Sequence, residues 1–164
     1  MANTITSGAY CKTVADTFTG GTYALDYDTN TIRATLFDFT ATRTVDTSST
    51  TGNHSDSTPE YDTDFATGML TATSGDYNQS LAATTLTTKT IAAGTNTAGR
   101  VDFDCDDFAW TNSSLNSDGI LYHDETNVNL PLWVVLAFSG QVQSVSGTFT
   151  VTQPTNGYLQ ITLN

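Results

Sequence analysis

Basic residues are the scarcest feature of this 164-residue chain. Two Lys and three Arg stand against 15 Asp and two Glu, and the formal net charge is -12 at pH 7. Charged residues make up 13% of the chain, compared with about 25% in ordinary soluble domains. Because nucleic acids and anionic membranes are bound by clustered Lys and Arg, the composition predicts neither as a partner.

Long apolar segments and targeting signals are also lacking. No apolar run approaches the roughly 20 residues that a membrane-spanning helix needs. The first residues, Met1–Ser7, have neither the basic segment nor the apolar core of a secretory signal. We therefore expect the chain to stay in the cytosol, or to leave the cell as part of a larger assembly.

Cysteine is nearly absent, with only Cys11 and Cys105, far apart in the sequence. Structural disulfides belong mainly to secreted proteins, so we expect two reduced thiols that pack as small hydrophobic side chains. A disulfide between them is the alternative.

Threonine dominates what is present. The chain has 34 Thr, about one residue in five, with 13 Ser and 11 Asn. Thr suits the exposed face of a strand, whereas Asn, Asp and Gly suit the turns between strands. Eight Phe, seven Tyr and two Trp supply a core. We therefore predict one domain over residues 1–164, all-β and mainly antiparallel, with a sandwich or barrel-like architecture.

One short helix is predicted near the N-terminus, over Tyr10–Phe18. Apolar residues recur there at i, i+1, i+4 and i+8 from Tyr10, which places them on one helix face. Ser7 is the predicted N-cap, and Gly20 with Gly21 is the predicted stop.

Alternating or continuous apolar runs predict the strands. They cover residues 23–25, 31–37, 81–91, 100–106, 119–123, 130–138, 147–151 and 158–163. The run at 130–138 is apolar almost throughout, so we expect burial on both faces, followed by a turn at 139–144. The last two strands are predicted to pair as a hairpin around 154–157.

The clearest alternation, at 100–106, changes phase at Asp106 and Asp107, where we predict a β-bulge. Trp110 and Trp133 are in phase with their apolar neighbours. Both are therefore predicted to pack in the core.

Residues 40–79 include the most polar part of the chain and are predicted to form a long loop or arm. Loops of this length are usually functional or mobile. Aromatic side chains within or beside polar segments are candidates for anchoring a protein interface. The candidate interface residues are Tyr27, Tyr61, Phe65 and Tyr77.

Carboxylates cluster on one predicted strand, where Asp102, Asp104 and Asp106 are expected to face outward. The favoured interpretation is a solvated strand face. A Ca2+ site that relieves the repulsion between them is the alternative, and no cofactor is predicted.

A second acidic segment, Asp26–Asn30, begins like a calcium-binding EF-hand loop. Thr31 and Phe37 stand where that loop needs Gly and Glu, so we predict an ordinary turn with Asx-type hydrogen bonds.

Residues capable of catalysis are few. His54 lies in the polar segment, and His123 with Cys105 is the one conceivable dyad, although Cys105 is predicted to point into the core. The chain has no nucleophile elbow, no phosphate-binding loop and no metal-spaced His pair. The sequence therefore predicts that the protein is not an enzyme.

Several segments resemble small virion proteins of tailed bacteriophages. Tyr23–Phe37 resembles an opening of the form D-x-D-T-D-T-I-K-V-A-L-L, which follows a short helix in that family. Arg100–Trp110 is similar to the family's V-K-F-D-A-D-D-V-T-W. Phe138–Val151 and Gly157–Leu163 are similar to its ending, D-F-G, G-x-F-T-I and G-I-x-x-L.

The resemblance covers most of residues 8–37 and 80–164 and implies a structural role in the virion. The expected function is that of a capsid decoration (cement) protein, a homo-oligomer, with a trimer favoured, on the capsid surface. Its partner would be the major capsid protein, and assembly would take place in the host bacterial cytoplasm. The alternatives are a tail- or fibre-associated structural protein or adhesin and, less favoured, a Ca2+-dependent carbohydrate-binding module.

Overall fold

The computed structural model describes residues 4–5, 7–38, 44–45, 75–77, 84–93 and 99–162. The elements are β1 (Thr4–Ile5), β2 (Gly8–Ala9), α1 (Cys11–Thr19), β3 (Ile32–Phe37), β4 (Thr44–Val45), β5 (Thr84–Thr85), β6 (Thr90–Ala93), β7 (Arg100–Asp104), β8 (Phe108–Asp124), β9 (Leu132–Val151) and β10 (Leu159–Thr162). Of the polar segment 40–79, only Thr44–Val45 and 75–77 fall within these ranges.

Two antiparallel sheets account for most of the fold. The larger has five strands in the order β2-β9-β8-β3-β5, and the smaller has three in the order β10-β7-β6. Phe103 of the smaller sheet packs on Trp133 of the larger one, with ring centroids 5.2 Å apart. A separate short pair, β1 with β4, is parallel. The predicted all-β, sandwich-like fold with one short helix is confirmed.

The hairpin of β8 and β9 forms the centre of the larger sheet. Its pairing changes register where Ser117 opposes Val142 and Gly119 opposes Ala137. Residues 138–141 therefore lie opposite Asp118 alone. The turn predicted at 139–144 is instead an irregularity inside one long strand. Burial on both faces holds from Leu132 to Val135, and β9 then becomes partly exposed.

The apolar alternation changes phase after β7 because the chain passes there from the smaller sheet to the larger one. β7 ends at Asp104 in the smaller sheet, and β8 begins at Phe108 in the larger one. The predicted β-bulge at Asp106 and Asp107 is wrong, because a strand that changes sheets breaks the local alternation as a bulge would.

The C-terminal turn forms as predicted, but its flanking strands do not pair. The Gly157 N–H donates to the Pro154 carbonyl at 2.8 Å. β10 then joins β7, with Leu159 opposite Phe103, so the predicted hairpin with the end of β9 is wrong. Gly157 has φ +80°, and a Cβ there would lie 2.2 Å from the Phe103 carbonyl oxygen.

The helix ends where the glycines predict, since Gly20 adopts a left-handed conformation at its C-cap. Ser7 does not cap it, because the Ser7 hydroxyl accepts a hydrogen bond from the Ala137 N–H at 2.8 Å. Of the apolar residues predicted to share one face, Tyr10 is buried and Val14 packs against the core, whereas Cys11 and Phe18 are exposed. The helix itself buries Thr13 and Asp16.

Tertiary hydrogen bonds explain which helix face is buried. The Thr13 hydroxyl donates to the Leu132 carbonyl of β9 at 2.6 Å. Asp16 accepts from the Tyr23 N–H at 3.0 Å and pairs with Lys12. Thr22 and Tyr23 form a turn, and Ala24 and Leu25 have no regular structure, so the predicted strand at 23–25 is wrong.

Both tryptophans are core residues, as predicted, and each centres an aromatic cluster. Tyr27, Phe103 and Tyr158 surround Trp133. Tyr77, Phe108 and Phe149 surround Trp110.

The two cysteines are free thiols in different environments. Cys105 is buried, as predicted, whereas Cys11 is exposed on α1 rather than packed.

Candidate functional site

The two sheets do not close completely where α1 packs beside them. A cavity of about 640 Å³ lies between α1, the turn at 24–30 and one face of the smaller sheet. Its walls are mainly apolar, and we refer to it as the apolar groove. Its volume lies within the roughly 300–1,000 Å³ range of small-ligand pockets.

The smaller sheet supplies one wall through the alternation of its strands. Val101 opposes Ile161 on β10, and Phe103 opposes Ile91 on β6. These side chains line the groove from adjacent strands. The Phe103 end is covered by Trp133, whereas Ile91 at the sheet edge is 45% exposed.

The helix supplies the opposite wall through Val14, Thr17 and Phe18. Phe18 is 83% exposed, although burial of such a side chain stabilises a protein by about 1.5–3 kcal/mol. A large aromatic side chain exposed beside an apolar cavity is typical of an interaction surface.

Trp133 and Tyr27 form the floor of the groove, and hydrogen bonds hold both side chains in place. The indole N–H of Trp133 donates to the Tyr158 hydroxyl at 3.2 Å. The Tyr27 hydroxyl donates to the Asp104 carbonyl at 2.8 Å, and burial raises the pKa of Tyr27 well above its ordinary value. The rings that face the groove are therefore fixed in place by the core.

The rim of the groove is polar and contains the turn predicted at Asp26–Asn30. The Asn30 N–H donates to the Asp26 carbonyl at 2.8 Å, which closes the turn. The Asp26 carboxylate accepts from the Thr29 N–H at 3.3 Å. Hydrogen bonds from Thr29 lower the pKa of Asp26, so the rim carries a negative charge at neutral pH.

The cations within the described ranges are all engaged inside the chain. They pair as Lys12 with Asp16, Arg33 with Glu125, Lys89 with the Asn30 carbonyl and Arg100 with Asp102. Arg43 lies outside the described residues. Asp26 and Asp28, on the rim turn, take part in none of the ion pairs of the described residues.

Two of the four predicted interface residues are buried, which corrects that prediction. Tyr27 is 3% exposed in the groove floor. Tyr77 is fully buried and packs edge-on against Trp110, with ring centroids 5.2 Å apart. Both lie in polar sequence, but partners distant in the chain cover them. Tyr61 and Phe65 lie outside the described residues.

Phe18 and Ile91 are the interface candidates that sequence reasoning missed. The spacing predicts that Phe18 shares a helix face with Tyr10 and Val14, which lie in or against the core, but it does not indicate that the core ends before Phe18. Ile91 lies in a predicted strand, but its exposure depends on the position of that strand at the edge of the smaller sheet. Local sequence does not indicate the order of strands in a sheet.

The three aspartates predicted as a weak metal site point to different partners. Asp102 is buried and pairs with Arg100 at 2.7 Å, so its predicted outward orientation is wrong. Asp104 accepts from the Cys105 N–H at 2.9 Å, and Asp106 accepts from the Thr88 hydroxyl at 2.5 Å. Within the part of the chain that the structure describes, no group of three or more His, Cys, Asp or Glu could hold a metal ion.

The conceivable Cys–His pair consists of two buried groups that are neutral at pH 7. Burial, reinforced by the nearby Asp104, raises the pKa of Cys105 to about 12. Burial lowers the pKa of His123 to about 4, although the Glu125 carboxylate, 3.2 Å from Nε2, opposes the change. Since the thiolate is the nucleophile, this Cys105 environment disfavours covalent chemistry. His54 lies outside the described residues.

No protein-family model matches the chain, and comparisons with curated proteins and with solved structures found no match either. Among the described residues, no helix is long and apolar enough to cross a membrane.

Proposed function

We propose that this chain is a structural protein of a tailed-phage virion, a capsid decoration (cement) protein that binds and stabilises the shell of major capsid protein. The apolar groove is the surface through which it docks. The observation that carries the proposal is Phe18, which is 83% exposed on the lip of an apolar cavity.

A docking role fits the energetics of this surface. Protein interfaces draw most of their binding free energy from a few large side chains that become fully desolvated. Phe18 and Ile91 are such side chains, and the rigid floor under them requires little ordering on binding.

The segments that resemble phage virion proteins meet at this groove, which links the sequence resemblance to the site. Tyr23–Phe37 contributes Asp26 and Tyr27, and Arg100–Trp110 contributes Val101 and Phe103. The two segments contact each other directly, since the rings of Tyr27 and Phe103 pack edge-on at 5.5 Å.

The acidic surface also supports the proposal. A net charge of -12 keeps a protein soluble at the high local concentration of a virion surface. The same charge disfavours binding to the packaged nucleic acid.

Copy number in purified virions tests the proposal directly. Quantitative mass spectrometry should give this chain a copy number comparable with that of the major capsid protein, because a decoration protein occupies a site repeated over the shell. A handful of copies per particle would overturn the capsid role and favour the tail- or fibre-associated role. Sedimentation equilibrium of the purified chain tests the proposed trimer separately.

A further inference from the structure

We infer that the apolar groove binds a protein segment in which a bulky apolar side chain is flanked by Lys or Arg. The identification of that segment with part of the major capsid protein rests on the proposed function. The binding chemistry is derived from the groove itself and is tested without the capsid.

The size and lining of the groove specify the apolar part of the segment. About 640 Å³ is more space than a single methyl-sized group fills. Phe18, Phe103 and Trp133 present aromatic surface to it. Aromatic rings pack well against one another in edge-on and offset arrangements, so a Phe, Tyr, Trp or Leu side chain is the expected anchor.

The rim specifies the charge of the flanking residues. Asp26 lines the groove and Asp28 is exposed two residues later in the same turn. Lys89 donates to the neutral Asn30 carbonyl and lies over the Tyr27 ring, and its positive charge offsets part of the negative charge of Asp26. Two carboxylates, of Asp26 and Asp28, outnumber the one ammonium group, so the rim remains net negative and favours a basic segment over an acidic one.

The same charge argues against a second copy of this chain as the occupant. In a contact through the groove, each copy would bring its own acidic rim to the other. Electrostatic complementarity therefore favours a basic partner over a second copy at this groove, and it does not bear on association through other surfaces.

The experiment uses the full chain labelled with 15N and three tripeptide probes, acetylated and amidated: Lys-Phe-Lys, Glu-Phe-Glu and Lys-Ser-Lys. The readout is the indole N–H signal of Trp133, which lies in the groove floor. The indole signal of Trp110, in the other aromatic cluster, is the internal reference. At low ionic strength, Lys-Phe-Lys should shift the Trp133 signal alone, with about tenfold tighter binding than either other peptide.

Matched variants separate the apolar and the electrostatic contributions. Phe18→Ala should weaken binding of Lys-Phe-Lys about tenfold. Val128→Ala, which removes a side chain that is 92% exposed and does not line the groove, should leave binding unchanged. Asp26→Asn should reduce the preference for Lys-Phe-Lys over Glu-Phe-Glu, whereas Asp76→Asn, at an exposed site beside Thr111, should preserve it.

Several results would overturn the inference. Equal binding of Glu-Phe-Glu, no shift of the Trp133 signal, or equal losses in Phe18→Ala and Val128→Ala would each do so. A Trp133 shift that depends on protein concentration without peptide would identify a second copy as the occupant instead. Copy number in virions is measured independently, so failure of the groove chemistry and failure of the capsid role are distinguishable.

Discussion

His123 makes the stability of this fold depend on pH in a range where most side chains do not titrate. The imidazole is 2% exposed at the end of β8, and burial lowers its pKa to about 4 from an ordinary 6.5. The hydrogen bond with Glu125 opposes this effect but does not cancel it. In the unfolded chain the same imidazole takes up a proton below about pH 6.5.

The direction of the effect follows from proton binding. Between about pH 4 and pH 6.5 the unfolded state binds more protons at His123 than the folded state, so the free energy of unfolding rises with pH. The contribution is fully present above pH 6.5 and is lost as the pH falls towards 4. At about 1.4 kcal/mol per pKa unit, the gap between 6.5 and about 4 corresponds to about 3 kcal/mol.

Urea unfolding followed by Trp fluorescence measures this contribution at about pH 7 and about pH 4.5. Carboxylates also titrate over part of this range, so His123→Gln is compared with the unmodified chain and the shared losses cancel. The unmodified chain should lose about 2–3 kcal/mol more than the variant on acidification. His54→Gln, which removes the other histidine, should retain the full loss.

Equal acid losses in His123→Gln and in the unmodified chain would refute this reasoning. A titration of the His123 ring by NMR with a midpoint at or above 6.5 would do the same. Either result would mean that the ion pair with Glu125 outweighs the burial of the ring.

Three further predictions concern cysteine reactivity, a partly buried ion pair and a turn. Iodoacetamide at neutral pH should label Cys11 alone in the folded chain, because Cys105 is buried and protonated; mass spectrometry counts the labels. Asp102→Asn should destabilise the fold by about 1–3 kcal/mol in urea unfolding, since it removes the counter-charge of the partly buried Arg100. Gly157→Ala should cost more than about 1 kcal/mol in the same assay, because φ is +80° and the added Cβ meets a carbonyl oxygen.

Each of these has a control within the chain. Cys11→Ser should abolish labelling of the folded protein, and a remaining label would place Cys105 at the surface. Asp106→Asn, at an exposed carboxylate, should cost far less than Asp102→Asn. Gly140→Ala should be nearly neutral, since no atom of the described residues, apart from its immediate neighbours, lies within 4 Å of an added Cβ. A cost equal to that of Gly157→Ala would contradict the steric argument.

The features that could be predicted from the sequence are those with local causes. Turn chemistry identified the loop at Asp26–Asn30 and the helix stop at Gly20, since both depend on backbone geometry over a few residues. The alternation around Trp110 placed that ring in the core, because period-2 spacing puts alternate residues on one sheet face. The all-β class followed from the same local patterns.

The candidate site could not be predicted, because contacts between distant residues create it. Periodicity indicates which residues share a face of a strand or helix. It does not indicate which sheet covers that face, or whether the face is covered at all. Tyr27 is buried because Phe103 and Trp133, from two different sheets, pack on its ring. Phe18 is exposed because a hydrogen bond from Thr13 to β9 turns the opposite face of α1 inward. The scarcity of basic residues and the acidic character of the rim belong to the sequence, whereas the apolar groove beside that rim exists only in the folded chain.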